Sequence, residues 1–303
     1  MILPKILVLG GGGIRVSAIV GALQVLYKKN LLRKVKEVCG ISAGAWLSFF
    51  IACEIPIEII ADLILQIDFG IILNLTTEAF LNFPEVFGFD DGSKFEKFLE
   101  SMFRVVLKIN PFLTFSDLAT LRSERPGILK FRCWAIDIQT PTRIREFSEE
   151  LTPSVRIIDA IRASATIPFM FTPIKDPMTG NLLVDGGIVS HLPFQYLTSD
   201  ECNQSLGIGF SFQTDPSEYP EPTNFFEFIH AIIRCMKSTR AKDLEEIWSH
   251  KICKIPIQGY PAWNFQASME DKKMLLNIGK KTMESWIVSG NQQSRHIQRR
   301  NSI

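Results

Sequence analysis

Histidine is scarce in this chain, with four in 303 residues, at positions 191, 230, 250 and 296. Paired cysteines are missing as well. The six cysteines (39, 53, 133, 202, 235 and 253) are scattered without a C-x-x-C pair, which argues against a zinc site. No secretory leader is recognisable at the start, so a disulfide framework is not expected and a reduced, cytoplasmic setting is. A charge excess of either sign is also lacking. The formal net charge is +1, so no global field favours nucleic acid or a strongly anionic partner. Nor is there an uninterrupted apolar run that could cross a bilayer. The most apolar stretch, IPIEIIADLILQIDFGIILNL, carries Glu58, Asp62 and Asp68, each costly in lipid. Peripheral contact with a membrane stays open, but crossing one does not.

What remains is globular material, 46% apolar and 21% charged, enough for a sizeable core. The 23 phenylalanines read first as packing. KILVL (5–9) reads as a strand, 17–29 as a helix, VKEVC (35–39) as a second strand and 43–53 as a second helix. This alternation is the signature of a parallel sheet with right-handed crossovers. Pro56 opens an amphipathic segment over 56–67, and Ser93 with Glu96 has the pattern of a capping box. Residues 68–127 read as helix and loop. ILKFRCWAIDI (128–138) reads as a strand with a hairpin partner in RIREFS, 154–164 as a helix, and NLLVD (181–185) and SLGIGFSF (205–212) as strands. Helices are expected near 224–240 and 268–288. The expected organisation is a core over 1–215 with a helical insertion at about 56–127, helices over 216–290 packing on the same domain, and a basic, flexible tail over 291–303.

Three glycine-bearing punctuations fall at the ends of expected strands, where ligands gather in open α/β sheets. GGGGIR (10–15) has the look of a dinucleotide loop. It lacks the third glycine, because Arg15 and Val16 stand there, and no acidic residue follows the second strand. The same glycines suit a tight turn, or a row of amides facing a developing oxyanion. Arg15 at a helix start is unexpected on dipole grounds, and makes sense if it orients or binds an anionic group. GISAG (40–44) reads either as a nucleophile elbow presenting Ser42 or as small residues at a tight helix–strand packing with Ser42 as N-cap. DGG (185–187) is a common loop start, and Asp185 matters only if it faces Ser42.

Together, in this order, the three motifs resemble the patatin-like phospholipase family. TFSDL (114–118), the end of AIDIQT and ASATIPFMFTPI (163–174) resemble its connecting blocks. The resemblance spans about residues 4–215. It implies a three-layer α/β/α sandwich around a central, mostly parallel sheet. It also implies a Ser–Asp dyad without catalytic histidine, with Ser42 as nucleophile and Asp185 as general base. The amides of Gly11, Gly12 and Gly13, with that of Ala43, would form the oxyanion hole. Arg15, Gly40, Gly44, Gly186 and Gly187 complete the motifs. No metal or cofactor is required, and the implied substrate is a fatty-acyl ester of a phospholipid, lysophospholipid or neutral lipid. Three positions depart from the family pattern: Gly10 stands for Asp, Val16 for Gly and His191 for Asn. His191 follows Asp185 in the Ser…Asp…His order of ordinary α/β-hydrolases, yet matches a structural asparagine, so it is assigned a supporting role. Two rival readings are a catalytically silent lipid-binding protein of the same fold and a nucleotide-binding α/β protein.

Overall fold

The computed structural model of the chain describes residues 3–300, apart from 141–142, 212–220, 223–227, 230, 233–238, 259, 263 and 265. Side chains at 80, 239–242 and 291–300 also lie outside the description. The named strands are β1 (Ile6–Leu9), β2 (Glu37–Ile41), β3 (Gly88–Asp90), β4 (Lys130–Asp137), β5 (Ile144–Phe147), β6 (Phe169–Phe171), β7 (Ile174–Lys175), β8 (Leu182–Asp185), β9 (Ser205–Phe210) and β10 (Ile252–Ile255). The α-helices are α1 (Val16–Lys28), α2 (Ala43–Ala52), α3 (Ile57–Gln66), α4 (Thr77–Val86) and α5 (Ser93–Met102). They continue with α6 (Phe115–Glu124), α7 (Ile157–Ser164), α8 (Ser199–Gln204), α9 (Thr239–Ile247) and α10 (Met269–Arg300).

β10, β9, β1, β2 and β4 lie side by side, all parallel. β5 and β8 pair with β4 antiparallel, and β7 pairs with β8 the same way. The result is a mostly parallel central sheet flanked by helices. Side-chain alternation sorts the strands onto two layers. Leu7 and Leu9 of β1 join a large core shared with α1, α2, α3, α7 and α10, while Ile6 and Val8 join a smaller one with Leu192, Phe194 and Cys202. β3 and β6 form a separate two-stranded parallel ribbon inside and beyond the stretch read as helix and loop. Three-residue strands are too short for periodicity to reveal.

The capping box expected at Ser93 is not formed. α5 begins at Ser93 itself, behind Gly92 in the left-handed region (φ 70°). Asp91 accepts the Ser93 amide at 2.9 Å, and Glu96 reaches away from the helix to Arg156 (3.2 Å) and Arg162. Two guanidinium groups outcompete one local amide, because charge-assisted hydrogen bonds are the stronger ones. The helix expected near 224–240 lies mostly outside the described residues. α10 carries helical backbone to Arg300, into the polar stretch read as a tail. Among the described residues, no helix is long and apolar enough to cross a membrane.

α10 lies against α1 with almost no gap. A Cβ at Gly21 would sit 1.9 Å from the Leu276 carbonyl oxygen, and one at Gly279 would sit 1.8 Å from the Ala18 carbonyl oxygen. Neither obstacle is a side chain that can swing aside, so the two helices must separate if either glycine gains a methyl. Overpacking of this kind costs roughly 1–3 kcal/mol. Gly279→Ala is therefore expected to lower the thermal midpoint by several degrees, although alanine is the better helix former. A melt unchanged from wild type would show that the α1–α10 contact is looser than described.

Candidate active site

β2 ends at Ile41, α2 begins at Ala43, and Ser42 alone makes the turn between them, with φ 54° and ψ −130°. That conformation is uncommon for a residue with a Cβ and persists only where the surroundings enforce it. They do so through small residues. A Cβ at Gly40 would lie 2.3 Å from the Gly44 carbonyl oxygen, and one at Gly44 would lie 2.5 Å from that of Leu9. The elbow is thus wedged against β1.

The register of β4 explains how Ser42 meets Asp185. Ala135 of β4 pairs with Arg145 of β5 and with Asp185 of β8, so those two strands occupy opposite edges. Trp134 pairs with Ile41 of β2 and with Glu146 of β5, so β2 and β5 are also opposite. β2 and β8 therefore share one edge of β4 and run toward each other along it. Ser42, one step past Ile41, and Asp185 meet at the level of Ala135. The Asp185 turn reaches this point from the opposite direction, because β8 runs antiparallel to β4. Ser42 Oγ donates to Asp185 Oδ2 at 2.6 Å, and the Gly187 amide donates to Asp185 Oδ1 at 2.6 Å. Ser42 is 9% exposed and Asp185 5%. Gly186 is held to a hydrogen by its neighbours, since a Cβ there would lie 2.4 Å from Ile41 Cδ1.

The glycine loop abuts the elbow, for a Cβ at Gly11 would lie 2.8 Å from that of Ser42. Its amides are not equivalent. Gly11 N–H donates to the His191 carbonyl at 2.7 Å, which removes it from the set of free donors expected there. Among the described residues, the amides of Gly12, Gly13 and Ala43 donate to no protein acceptor. Gly13 holds φ +52° where a Cβ would strike the Ala262 carbonyl oxygen at 1.9 Å. Arg15 Nε donates to the Tyr260 carbonyl at 2.7 Å, and Ile14 N–H to that of Ala262 at 2.9 Å. That bond makes Arg15 a brace between the loop and the segment after β10. His191 contributes its carbonyl to the loop, and its Nδ1 lies 3.5 Å from where a Gly187 Cβ would be. One residue that no motif singles out is also here. Ser164, at the end of α7 and fully buried, accepts the Ser42 amide at 2.9 Å and donates to the Trp134 carbonyl at 2.7 Å. Among the described residues, no group of three His, Cys, Asp or Glu is placed to hold a metal ion.

The family model for patatin-like phospholipases matches residues 7–198, which span the glycine loop, the elbow and the aspartate turn. The chain belongs to the patatin-like phospholipase family. It is 26% identical over 303 residues to the uncharacterized protein YqhO of Bacillus subtilis, covering 92% of this chain and 97% of that one. It is 30% identical over 192 residues to the "probable lipid hydrolase 463L" of Invertebrate iridescent virus 6, covering 62% and 61% of the two chains. Among solved structures, VipD from Legionella pneumophila superposes with a TM-score of 0.63 at 16% identity, over 95% of this chain and 67% of that one. The last likeness is one of fold. Membership in a patatin-like phospholipase family supports lipid hydrolase activity.

Within this patatin-like site, burial pushes the Asp185 carboxyl up to about 6, against the hydrogen bonds from Ser42 and Gly187, which pull it down. An acid whose folded value is raised costs stability once it ionises. At pH below about 4 the carboxyl is neutral in folded and unfolded chains alike. From about pH 4 to 6 the unfolded chain ionises first, and stability is lost; above 6 the loss is complete. The difference from an ordinary aspartate corresponds to roughly 3 kcal/mol. Asp185→Asn keeps the shape without the charge, so it is expected to melt higher than wild type at pH 8. The gap should close as pH falls through 6 toward 4. Paired melts across that range would disprove the buried charge if the variant is the less stable protein throughout.

Proposed function

We propose that this protein is a lipid acyl hydrolase of the serine esterase class, cleaving fatty-acyl esters of phospholipids, lysophospholipids or neutral lipids. The observation that carries this reading is the buried 2.6 Å hydrogen bond from Ser42 Oγ to Asp185 Oδ2. Ser42 Oγ attacks the ester carbonyl while Asp185 takes its proton, and an ester oxygen becomes an oxyanion. The amides of Gly12, Gly13 and Ala43 receive that charge, with Gly11 holding the loop through His191. Asp185 returns the proton to the departing alcohol, leaving an acyl group on Ser42 Oγ. Water, deprotonated by Asp185, then attacks the acyl carbonyl; the bond from Ser42 Oγ to the acyl carbon breaks, Ser42 Oγ takes the proton back from Asp185, and the fatty acid leaves. A carboxylate near 4 would be a feeble base for this work. Desolvation toward 6 brings Asp185 closer to the operating range, where general bases are most effective.

No cofactor enters the scheme. The lipid part of the reading rests on family membership, and the substrate is met by peripheral contact with a lipid surface. Five cysteines among the described residues are free thiols, which suits a reducing cytoplasm.

One experiment tests the assignment. A fluorophosphonate probe should add once, at Ser42, as read by intact mass and peptide mapping, and Ser42→Ala should not label. Asp185→Asn should then lose several orders of magnitude in kcat on a soluble ester while folding normally. His191→Asn should be nearly silent, because it installs the residue of the family pattern and keeps the backbone carbonyl that accepts from Gly11. A histidine base predicts the reverse ranking, with His191→Asn the less active enzyme. Absence of labelling in wild type would leave a silent lipid-binding protein as the better description.

A further inference from the structure

The elbow poses a hydrogen-bonding problem that the three motifs leave unsolved. In a parallel ladder, alternate residues of a strand make the rungs to each neighbour. Lys130 N–H donates to the Lys36 carbonyl at 3.0 Å, just ahead of the strand pairing in which Val38 faces Phe131 and Gly40 faces Cys133. Even-numbered residues therefore carry the β2–β4 rungs. The next rung would join Ser42 N–H to the Trp134 carbonyl. It does not form. The Ser164 hydroxyl stands between the two groups, accepting from Ser42 N–H at 2.9 Å and donating to Trp134 O at 2.7 Å.

We infer that Ser164 is a positioning residue for the dyad, a hydroxyl spacer that converts the last rung of the β2–β4 ladder into a bridge and so holds Ser42 at the elbow. The inference rests on the lipid acyl hydrolase reading and adds a residue to it. Three features converge on the spacer. Ser42 keeps its left-handed φ of 54°, which a direct rung to β4 would pull toward an extended strand. The opening that the spacer maintains is the slot on the same edge of β4 into which Asp185 arrives from β8. And the same turn of chain holds the base, since Thr166, two residues on, accepts the Asp185 amide on its carbonyl at 2.7 Å. The end of α7 thus grips both members of the dyad, one through a side chain and one through the backbone. Ser164 itself has no exposed surface, so it acts through Ser42 and not on substrate.

Without the hydroxyl, Ser42 N–H and Trp134 O either close into the missing rung or stay apart as unsatisfied buried groups. Closing draws the nucleophile toward β4 and away from Asp185, and misplacement on the order of 1 Å can cost about 10²-fold in rate. Ser164→Ala should therefore cut kcat on a soluble short-chain ester, and fluorophosphonate labelling of Ser42, by about 10- to 100-fold. KM should stay within about threefold, because no substrate contact is removed. Ser164→Thr keeps the hydroxyl and should recover most of the rate. Ser164→Cys, with a weaker donor and acceptor of similar size, should fall between. Amide exchange over peptides covering residues 38–46 should be faster in Ser164→Ala and restored in Ser164→Thr, a readout that does not need activity.

A Ser164→Ala protein with a lower melting point but wild-type kcat, labelling and exchange would overturn the inference and leave only a packing role. So would threonine and alanine variants that are equally slow. If alanine fails to fold, the cysteine and threonine variants decide by their order. Wild-type protein that never labels would defeat the hydrolase reading, a different result from a labelled wild type whose Ser164 variants match it, and exchange would still decide the bridge.

Discussion

One edge of β4 organises this site. A strand has two edges, and at Ala135 both are taken, by β5 on one side and β8 on the other. Because β2 lies on the same side as β8 and stops at Trp134, the two strands face each other end to end. That arrangement delivers a serine and a carboxylate to one point from segments 143 residues apart in sequence. Neither group is placed by a flexible loop of its own. Each is the residue at a strand end, so its position inherits the stiffness of the sheet.

The same placement sets the chemistry. The meeting point of two strand ends, beneath the glycine loop, excludes water from the carboxylate. Asp185 accepts one hydroxyl, from Ser42, and one amide, from Gly187. Burial outweighs both, and the carboxyl moves upward. A guanidinium here would stabilise the ionised form and lower its basicity. Arg15 is the cation of the nearest motif, and its Nε is engaged with the Tyr260 carbonyl. A carboxyl raised by burial costs stability once it ionises.

Much of this was legible in the sequence, and the boundary of legibility is instructive. GISAG offered an elbow because small residues on either side of a serine have a local meaning, and the continuous apolar run KILVL declared a strand. The central, mostly parallel sheet and the expected pairing of Ser42 with Asp185 came from three motifs taken together in resemblance to a family, not from any one of them. What the chain did not reveal was partnership across space. Gly11 looks the same as Gly12 in the sequence, yet its amide is spent on His191. Arg15 reads in the sequence as a residue that orients or binds an anionic group, and the chain alone does not show that its Nε reaches the Tyr260 carbonyl. Ser93 and Glu96 had the spacing of a capping box, but Arg156 and Arg162 lie about sixty residues away and compete for the glutamate. Ser164 lies in the connecting block ASATIPFMFTPI, where the sequence attaches no role to it, and only the β4 register shows what its hydroxyl replaces.

The departures from the family pattern find physical counterparts in the packing. At Gly10, where the family carries an aspartate, a Cβ would lie 3.0 Å from the His191 carbonyl oxygen and 3.2 Å from Gly209 Cα. Both are backbone atoms, and the Ile208 carbonyl oxygen lies at 3.3 Å from the same point. Gly10 N–H donates to Ile208 at 2.9 Å and Gly11 N–H to His191 at 2.7 Å, so a side chain at position 10 would ask the two accepting carbonyls to give by a few tenths of an ångström. At Val16 the family's glycine is replaced by a side chain only 1% exposed, which opens α1 inside the main core. A β-branched residue there removes backbone freedom just after the Gly13–Arg15 turn and adds apolar contact. One departure narrows the spacing around the loop and the other stiffens its exit. Among the described residues, the amides of Gly12 and Gly13 donate to no protein acceptor.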